Sequence, residues 1–324
     1  MTTSGGAAES QVPIRPSALR RGARLAVVSP ASTPKIELVH RGMAWLEKLG
    51  YEPVLSPHAT VRGPLYYAGT IEERVADLHA AFADTSIDGI LCTRGGWGSA
   101  ELLPHLDSEI IKKNPKPFVG YSDHTSLHCW IHNVANMVTF YGPMVAADFA
   151  REGGVDEQSW QNCIGGASGW VLGRADGLRV LRTGAADGVL RGGCLSILTE
   201  TLGTPYAADV RNSVLFLEDI GTKPYQWDRM LLHLRYSGLL DMVRGIVFGD
   251  MRQCVAAEEE DYLERAIQHS LRNFAGPIAI GLPCGHVTGA NVTLPLGVRV
   301  RLDLTDTSDP RIEFLEEAVC GPVD

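Results

Sequence analysis

The sequence predicts an α/β protein with a parallel-sheet amino-terminal domain and a β-rich carboxy-terminal domain. Three observations indicate this fold class. The 324 residues suit about two domains, and a composition that is 45% hydrophobic and 21% charged is typical of globular proteins. Short apolar runs alternate with helical patterns in the first half, which indicates parallel strands joined by right-handed crossovers. In the second half, the last predicted strands follow one another without helices between them, which indicates a mixed or barrel-like sheet.

The amino-terminal domain is predicted to span residues 20–150. Its predicted strands are 24–29, 52–55, 88–93, 116–120 and 137–141. The first helix should begin with Pro34, since proline is tolerated at the first helical position, and should end at Gly50. Thr70 and Glu73 have the spacing of a capping box, which predicts the start of a second helix.

Residues 151–187 are rich in glycine turn signals, and we predict that they form a linker. The carboxy-terminal domain should then span 188–324. Its predicted strands are 213–217, 244–248, 277–280, 291–294, 298–304 and 311–314, and its main predicted helices are 225–236 and 258–273. The first residues are small and polar, so we expect 1–19 to be a disordered tail.

Charge and composition exclude several classes of protein. The net charge of −9 argues against nonspecific nucleic-acid binding, which needs a basic face. No apolar run approaches the ~20 residues of a membrane span, and the run after Arg20 and Arg21 is too short for a signal peptide. The seven cysteines are scattered, which indicates reduced, mostly buried thiols. We therefore expect a cytoplasmic protein.

Ser122 lies where a predicted strand meets a helix, within the sequence GYSD. A serine on such a tight turn exposes its hydroxyl beside the amides of the new helix, which is the geometry of a nucleophile elbow. The helix N-terminus would also stabilise a developing oxyanion. The G-x-S-x-G motif is only half met, so a simple helix cap remains an alternative role for Ser122.

A glycine-rich loop, RGGWG at 94–98, follows the third predicted strand. Backbone amides at the carboxyl edge of a parallel sheet can approach a ligand closely, and they could serve as oxyanion donors beside Ser122. The loop lacks the pattern of a phosphate-binding loop. A plain glycine turn is the alternative interpretation.

Histidines at His124, His128 and His132 lie at i, i+4 and i+8 on one helix face. Such spacing can hold zinc, but neither an H-E-x-x-H motif nor a carboxylate at a suitable offset accompanies it. We favour histidines that are hydrogen-bonded in the core or that face solvent, and we expect no metal and no cofactor.

An acid and a further histidine occupy strand-end positions in the second half. An apolar strand ends at Glu218 and Asp219, and His286 lies in a loop rich in glycine and proline. Turn chemistry for the acids and an incidental role for the histidine are the alternatives. The order serine, acid, histidine is that of α/β-hydrolases, although triads occur in every order.

Seven sequence blocks, in collinear order, resemble the bacterial LD-carboxypeptidases, which are serine peptidases of murein recycling related to microcin C immunity peptidases. The resemblance extends over about residues 22–317. The blocks are RGGWG at 94–98, GYSD at 120–123, YGPM at 141–144, LRGGCLSIL at 190–198, FLED at 216–219, RMLLHL at 229–234, and GHV with VTLPLG within 285–297.

The resemblance implies a flavodoxin-like amino-terminal domain and a smaller, β-rich, barrel-like carboxy-terminal domain, with the site between them. It implies that Ser122 is the nucleophile, Glu218 the triad acid and His286 the base. The implied oxyanion donors are the backbone amides of Gly96 and Asp123.

The resemblance also implies a small peptide as partner. The net charge and the short apolar runs argue against nucleic acid and membrane as partners, and a homodimer is left open. The expected reaction releases D-alanine from murein tetrapeptides. The alternative is cleavage of aminoacyl or peptidyl nucleotide amides, as in the immunity branch, whose long aromatic insert is not evident here. Arg94 is a candidate for binding the substrate carboxylate. Trp97 is a second substrate-binding candidate, at a position where the family commonly has tyrosine.

Overall fold

A computed structural model describes residues 12–256 and 259–321. The strands are β1 (Arg24–Val28), β2 (Glu52–Leu55), β3 (Gly89–Cys92), β4 (Phe118–Gly120), β5 (Thr139–Tyr141), β6 (Val171–Gly173), β7 (Arg179–Arg182), β8 (Ala185–Cys194), β9 (Ser213–Glu218), β10 (Val243–Gly249), β11 (Ile278–Leu282), β12 (Leu294–Leu296), β13 (Arg299–Asp303) and β14 (Arg311–Phe314). The α-helices are α1 (Ile36–Lys48), α2 (Ile71–Ala83), α3 (Ser99–Leu102), α4 (Ser108–Lys113), α5 (Thr125–Ala135), α6 (Glu157–Ile164), α7 (Leu195–Glu200), α8 (Pro224–Tyr236) and α9 (Glu260–Ser270).

The first sheet has the strand order β12-β5-β4-β3-β1-β2. Strands β1 to β5 are all parallel, and their order is that of flavodoxin-like folds. This arrangement confirms the predicted fold class of the amino-terminal half. Parallel strands are buried on both faces by their crossover helices, which explains why every residue of β3, β4 and β5 is buried.

The second sheet has the order β6-β14-β13-β8-β9-β10-β11-β7 and is mixed, as predicted. Strands β8 to β11 are parallel, and the strands on either side of them are antiparallel. Because ligands bind at the carboxyl ends of parallel strands, the ends of β4, β9 and β11 are the places where functional side chains are expected.

Helix starts follow the local sequence with one exception. Thr70 caps α2 by accepting a hydrogen bond from the Glu73 amide, and the Glu73 carboxylate returns to the Thr70 amide, so the predicted capping box is confirmed. Helix α1 begins at Ile36 and not at Pro34. The reason is that Thr33 is bound through its amide and its hydroxyl to the carbonyls of Tyr66 and Tyr67, which keeps the chain extended there.

The predicted division of the chain differs from the structure in three places. Within the predicted linker 151–187, α6 buries Trp160, and β6 and β7 join the second sheet, so this segment contributes both to the core and to the second sheet. The strand predicted at 291–294 begins only at residue 294, as β12, and it pairs with β5 in the first sheet. Of the predicted disordered tail 1–19, residues 12–19 are ordered, because Ile14 pairs with Met137 and Leu19 is buried, and residues 1–11 lie outside the described residues.

The core is continuous between the two halves. One hydrophobic cluster contains Leu25 and Phe118 of the first sheet together with Leu302 and Phe314 of the second, and a second cluster packs α8 and α9 against β9 and β10. Each fully buried apolar side chain stabilises the fold by roughly 1.5–3 kcal/mol. In the described part of the chain, no helix is both long and apolar enough to span a membrane. All seven cysteines are free and six of them are buried, as predicted.

Candidate active site

Ser122 is the first residue of a 3₁₀ turn (Ser122–His124) that connects β4 to α5. Its φ angle is +65°, a left-handed conformation that costs a non-glycine residue roughly 1–3 kcal/mol. The residue at the N-cap position is Tyr121, and no side chain caps this turn. The helix-cap alternative for Ser122 is therefore wrong, and the turn has the geometry of a nucleophile elbow.

The glycine-rich loop after β3 lies directly against this elbow. A Cβ atom built on Gly95 would lie 2.9 Å from Ser122 Oγ and 3.4 Å from the Asp123 amide nitrogen. Gly96 and Gly98 have φ angles of +109° and +133°, which favour glycine. This close approach leaves no room for a side chain at position 95. A plain glycine turn on the surface would not have this requirement.

Buried polar side chains hold the glycine-rich loop in place through hydrogen bonds to its backbone. Arg74 is buried, and its Nη1 donates to the carbonyl oxygens of Gly98 at 2.9 Å and Pro30 at 3.0 Å. The Asp123 carboxylate accepts a hydrogen bond from the Ser99 amide at 2.8 Å. Burial raises the pKa of Asp123. Sequence reasoning missed Arg74, because nothing in a helical arginine indicates that its guanidinium holds a distant loop.

Glu218, at the end of β9, is completely buried and binds His286 twice. Its Oε2 accepts hydrogen bonds from His286 Nδ1 at 2.8 Å and from the His286 amide at 3.0 Å. The neighbouring Asp219 instead accepts from the amides of Ser196 and Ile220. The turn-chemistry alternative therefore applies to Asp219 alone, whereas Glu218 faces the histidine.

The electrostatics of His286 favour its charged form. Burial is the largest single influence and would lower the pKa of His286, but the charge of Glu218 and its hydrogen bond outweigh it. Asp219 and Asp148 act in the same direction as Glu218. The net result is a pKa of His286 above its ordinary value. The incidental role considered for His286 is not consistent with a buried carboxylate bound to its Nδ1.

The loop that carries His286 is fastened on both sides. Gly285 has a φ angle of +94°, and a Cβ there would lie 2.4 Å from Glu218 Cδ. The Asn291 side chain binds both the amide and the carbonyl of Gly285 at 3.0 Å. Arg151 donates to the carbonyls of Thr288 and Gly289. The imidazole is thus presented by a rigid loop.

Tyr141, at the end of β5, is a site residue that sequence reasoning missed. Its hydroxyl donates to Glu218 Oε1 at 2.5 Å and accepts a hydrogen bond from the Ser122 amide at 3.0 Å. One buried side chain therefore joins the acid of the second sheet to the elbow of the first. The only signal in the sequence was its place in the YGPM block.

A pocket of about 310 Å³ brings several of the predicted residues together. Ser122, His286, Arg94 and Gly96 line it, and Lys35, which sequence reasoning missed, adds a second exposed cation. Further lining comes from Leu38, Gly95, Tyr121, Met144, Ala146 and Ala147. Trp97 is not among the lining residues, and its amide binds the Ser32 hydroxyl at 3.2 Å.

The three helix histidines are engaged with protein groups in the core. His124 contacts the Ser99 hydroxyl and the Arg94 carbonyl, and His128 contacts the Thr139 hydroxyl and the Gly120 carbonyl. His132 shares the Thr139 hydroxyl. Burial lowers the pKa of His124 to about 4 and that of His128 to about 3. The interpretation as satisfied core histidines is confirmed.

Family models match both halves of the chain. Residues 25–142 match the LD-carboxypeptidase N-terminal domain, and residues 187–302 match the LD-carboxypeptidase C-terminal domain. The probable murein peptide carboxypeptidase of Bacillus subtilis (strain 168) is 34% identical over 90% of this chain and 92% of its own length. The murein tetrapeptide carboxypeptidase of Pseudomonas aeruginosa is 30% identical over 81% of this chain and 88% of its own length.

A solved structure extends the agreement to the fold. The crystal structure of an MccF-like protein from Bacillus anthracis str. Ames has a TM-score of 0.83 and 27% identity, and the match covers 93% of this chain and 99% of that one. These matches confirm the predicted fold and the predicted class, a serine peptidase hydrolase. The chain belongs to the LD-carboxypeptidase family.

Proposed function

We propose that the chain is a serine LD-carboxypeptidase that releases the terminal D-alanine from murein tetrapeptides. The bond cleaved would join D-alanine to the L-configured centre of meso-diaminopimelate or L-lysine. The observation that carries the proposal is one pocket lined by both the strained Ser122 and His286, with the Glu218 carboxylate bound behind the imidazole.

In the proposed reaction, Ser122 Oγ attacks the scissile carbonyl and its proton passes to His286. Glu218 holds the imidazole with Nδ1 as donor, so that Nε2 can act as the base, and it stabilises the imidazolium that forms. The amine of D-alanine then takes the proton as the carbon–nitrogen bond breaks. Water, deprotonated by His286, hydrolyses the acyl-enzyme and restores Ser122.

The amides of Gly96 and Asp123 are proposed to bind the oxyanion. Support comes from the contact between the glycine-rich loop and the elbow, where the Asp123 amide lies 3.4 Å from the Cβ position of Gly95. The Asp123 amide directly follows the nucleophile, which is its usual place in an elbow. Loss of one such donor typically costs about 10²–10³ in kcat.

A carboxypeptidase must bind a free carboxylate, and the pocket offers cations for this purpose. Arg94 and Lys35 are exposed at the pocket that contains Ser122. A guanidinium binds a carboxylate bidentately, which favours Arg94 for the terminal carboxylate of D-alanine. Lys35 would then meet a second anionic group. Trp97 remains a proposed contact for a longer substrate outside this pocket.

Cleavage of aminoacyl or peptidyl nucleotide amides is the second candidate function, favoured by the structural match to an MccF-like protein. The identities of 30% and 34% to carboxypeptidases acting on murein peptides favour the first candidate. Incubating the purified chain with a murein tetrapeptide and, separately, with an aminoacyl-sulfamoyl adenosine separates the two. D-Alanine release from the tetrapeptide alone is expected, whereas cleavage of the nucleotide alone would reverse the assignment.

We further propose that the protein acts in the cytoplasm on small peptides, with neither nucleic acid nor membrane as partner. Seven free cysteines and a net charge of −9 support this view. A homodimer stays open as the oligomeric state, and light scattering coupled to size-exclusion chromatography would determine it.

A further inference from the structure

We infer that Tyr141 is a positioning residue of the active site. Its hydroxyl holds the triad acid of the second sheet and the nucleophile elbow after β4 at a fixed position relative to each other. The inference rests on the proposed roles of Ser122, Glu218 and His286. The carrying observation is a single hydroxyl that donates to Glu218 Oε1 at 2.5 Å and accepts from the Ser122 amide at 3.0 Å.

The position of the Tyr141 hydroxyl is fixed by its surroundings. The ring is fully buried at the end of β5 and packs against the rings of Phe216 at 5.6 Å and His128 at 5.8 Å. On another side the backbone of Gly193 approaches so closely that a Cβ there would lie 3.0 Å from Tyr141 Cε2. Because this packing restricts movement of the ring, the hydroxyl holds a defined position for both of its partners.

The hydroxyl completes the hydrogen bonding of the buried acid. Both His286 donors bind Glu218 Oε2, and Tyr141 binds Oε1. A fully buried carboxylate needs such donors, because an unpaired oxygen would carry a large desolvation cost. Burial, followed by the charge of Glu218, raises the pKa of Tyr141 well above its ordinary value, so the hydroxyl keeps the proton that it donates.

The same hydroxyl also supports the strained elbow. The first amides of a helical turn have no partner within the turn, and the Ser122 amide instead donates to the Tyr141 hydroxyl. Ser122 follows β4 of the first sheet, whereas Glu218 ends β9 of the second sheet and the His286 loop follows β11 of that sheet. A bridge between the elbow and the acid therefore constrains the position of Ser122 Oγ relative to the imidazole that Glu218 orients.

The test uses Tyr141→Phe, with Tyr51→Phe as a matched control. The control also removes a hydroxyl that is hydrogen-bonded to a core residue, because the Tyr51 hydroxyl accepts from Trp160 Nε1 at 3.4 Å. Tyr51 lies outside the active-site pocket. We expect Tyr141→Phe to lower kcat about 10- to 100-fold with KM within about twofold of the wild type. The control should retain the kcat of the wild type.

A fluorophosphonate probe reports on the nucleophile without depending on the substrate. Ser122 Oγ forms a bond to phosphorus, fluoride leaves, and His286 takes the proton. The rate at which the probe labels the Tyr141→Phe variant should fall by the same factor as its kcat. Unchanged labelling of the variant overturns the role of Tyr141 alone. Normal labelling without tetrapeptide cleavage by the wild type overturns the proposed substrate alone. A wild type that is not labelled at Ser122 overturns both.

A double-mutant cycle separates positioning from a merely structural role. Because Tyr141 acts in part through Glu218, Tyr141→Phe should lower kcat by a smaller factor in a Glu218→Gln background than in the wild type. The double variant also removes the unpaired carboxylate, so it should fold even where the single variant is unstable. Independent, multiplicative losses in kcat would overturn the inference.

Discussion

Replacing Gly95 with alanine should strongly lower the activity of the enzyme while changing its stability only slightly. The added Cβ would lie 2.8 Å from Ser122 Cβ and 2.9 Å from Ser122 Oγ. Non-bonded carbon atoms prefer about 3.5–4.0 Å, so the loop and the elbow must separate by roughly 0.7 Å or more. The φ angle of Gly95 lies outside the left-handed region, so the backbone itself tolerates alanine.

The expected loss follows from that displacement. Moving a reacting group by about 1 Å costs on the order of 10² in rate, and weakening one oxyanion donor costs roughly 10²–10³. We therefore expect Gly95→Ala to lower kcat/KM for D-alanine release by about 10²–10³. Crowding of a packed site typically costs about 1–3 kcal/mol of folding free energy, which should lower Tm by only a few degrees.

The assay is steady-state release of D-alanine from a murein tetrapeptide, with thermal unfolding measured on the same preparations. Gly289→Ala is the matched control, because it lies in the His286 loop and a Cβ there meets nothing within 4 Å. The control should keep wild-type activity. A folded Gly95→Ala protein with activity within about threefold of the wild type would refute the account of the glycine-rich loop.

Three further predictions concern the base, the substrate carboxylate and metals. Because Glu218 raises the pKa of His286, kcat/KM should rise with pH through a limb centred above about 6.5. Glu218→Gln should move that limb to lower pH, since burial then dominates, and an unmoved limb would contradict the pairing. Arg94→Gln should raise KM roughly 10-fold for a tetrapeptide with a free carboxylate and leave KM for its carboxy-terminal amide unchanged. An equal effect on both substrates would exclude Arg94 as the carboxylate ligand. Exhaustive EDTA treatment should leave activity intact, whereas loss on chelation with recovery on adding zinc would overturn the serine mechanism.

The elements that sequence reasoning predicted correctly are those with local signals. The apolar runs of β1, β3, β9 and β10 are buried on both faces, so their strand character is visible without knowledge of their partners. Ser122 could be singled out because an apolar run ends just before it and a helix follows. Such signals depend only on neighbouring residues, and no tertiary contact is needed to interpret them.

The longest strand of the second sheet, β8, was not predicted. Glycines at 188, 192 and 193 lower its strand propensity, yet the structure requires them. A Cβ on Gly192 would lie 1.9 Å from the Phe216 carbonyl oxygen, and one on Gly193 would lie 2.5 Å from Thr125 Oγ1. These glycines permit close contacts with residues distant in the chain, which local patterns do not record.

The supporting residues of the site were missed for a related reason. Tyr141 and Glu218 are 77 positions apart, and Arg74 is 24 positions from Gly98. In the sequence, Tyr141 reads as one more aromatic residue of an apolar strand. The three-residue strand β12 likewise gives no indication that it returns to the first sheet, because the identity of its partner is a tertiary property.

The central claim is that Ser122 catalyses the release of D-alanine from a murein tetrapeptide. Its most direct test is mass-spectrometric analysis of a tetrapeptide incubated with the wild-type protein and, in parallel, with Ser122→Ala. We predict stoichiometric tripeptide and D-alanine from the wild type, and a rate at least about 10³-fold lower from the variant. An intact tetrapeptide after incubation with folded wild type, or undiminished release by Ser122→Ala, would contradict the claim.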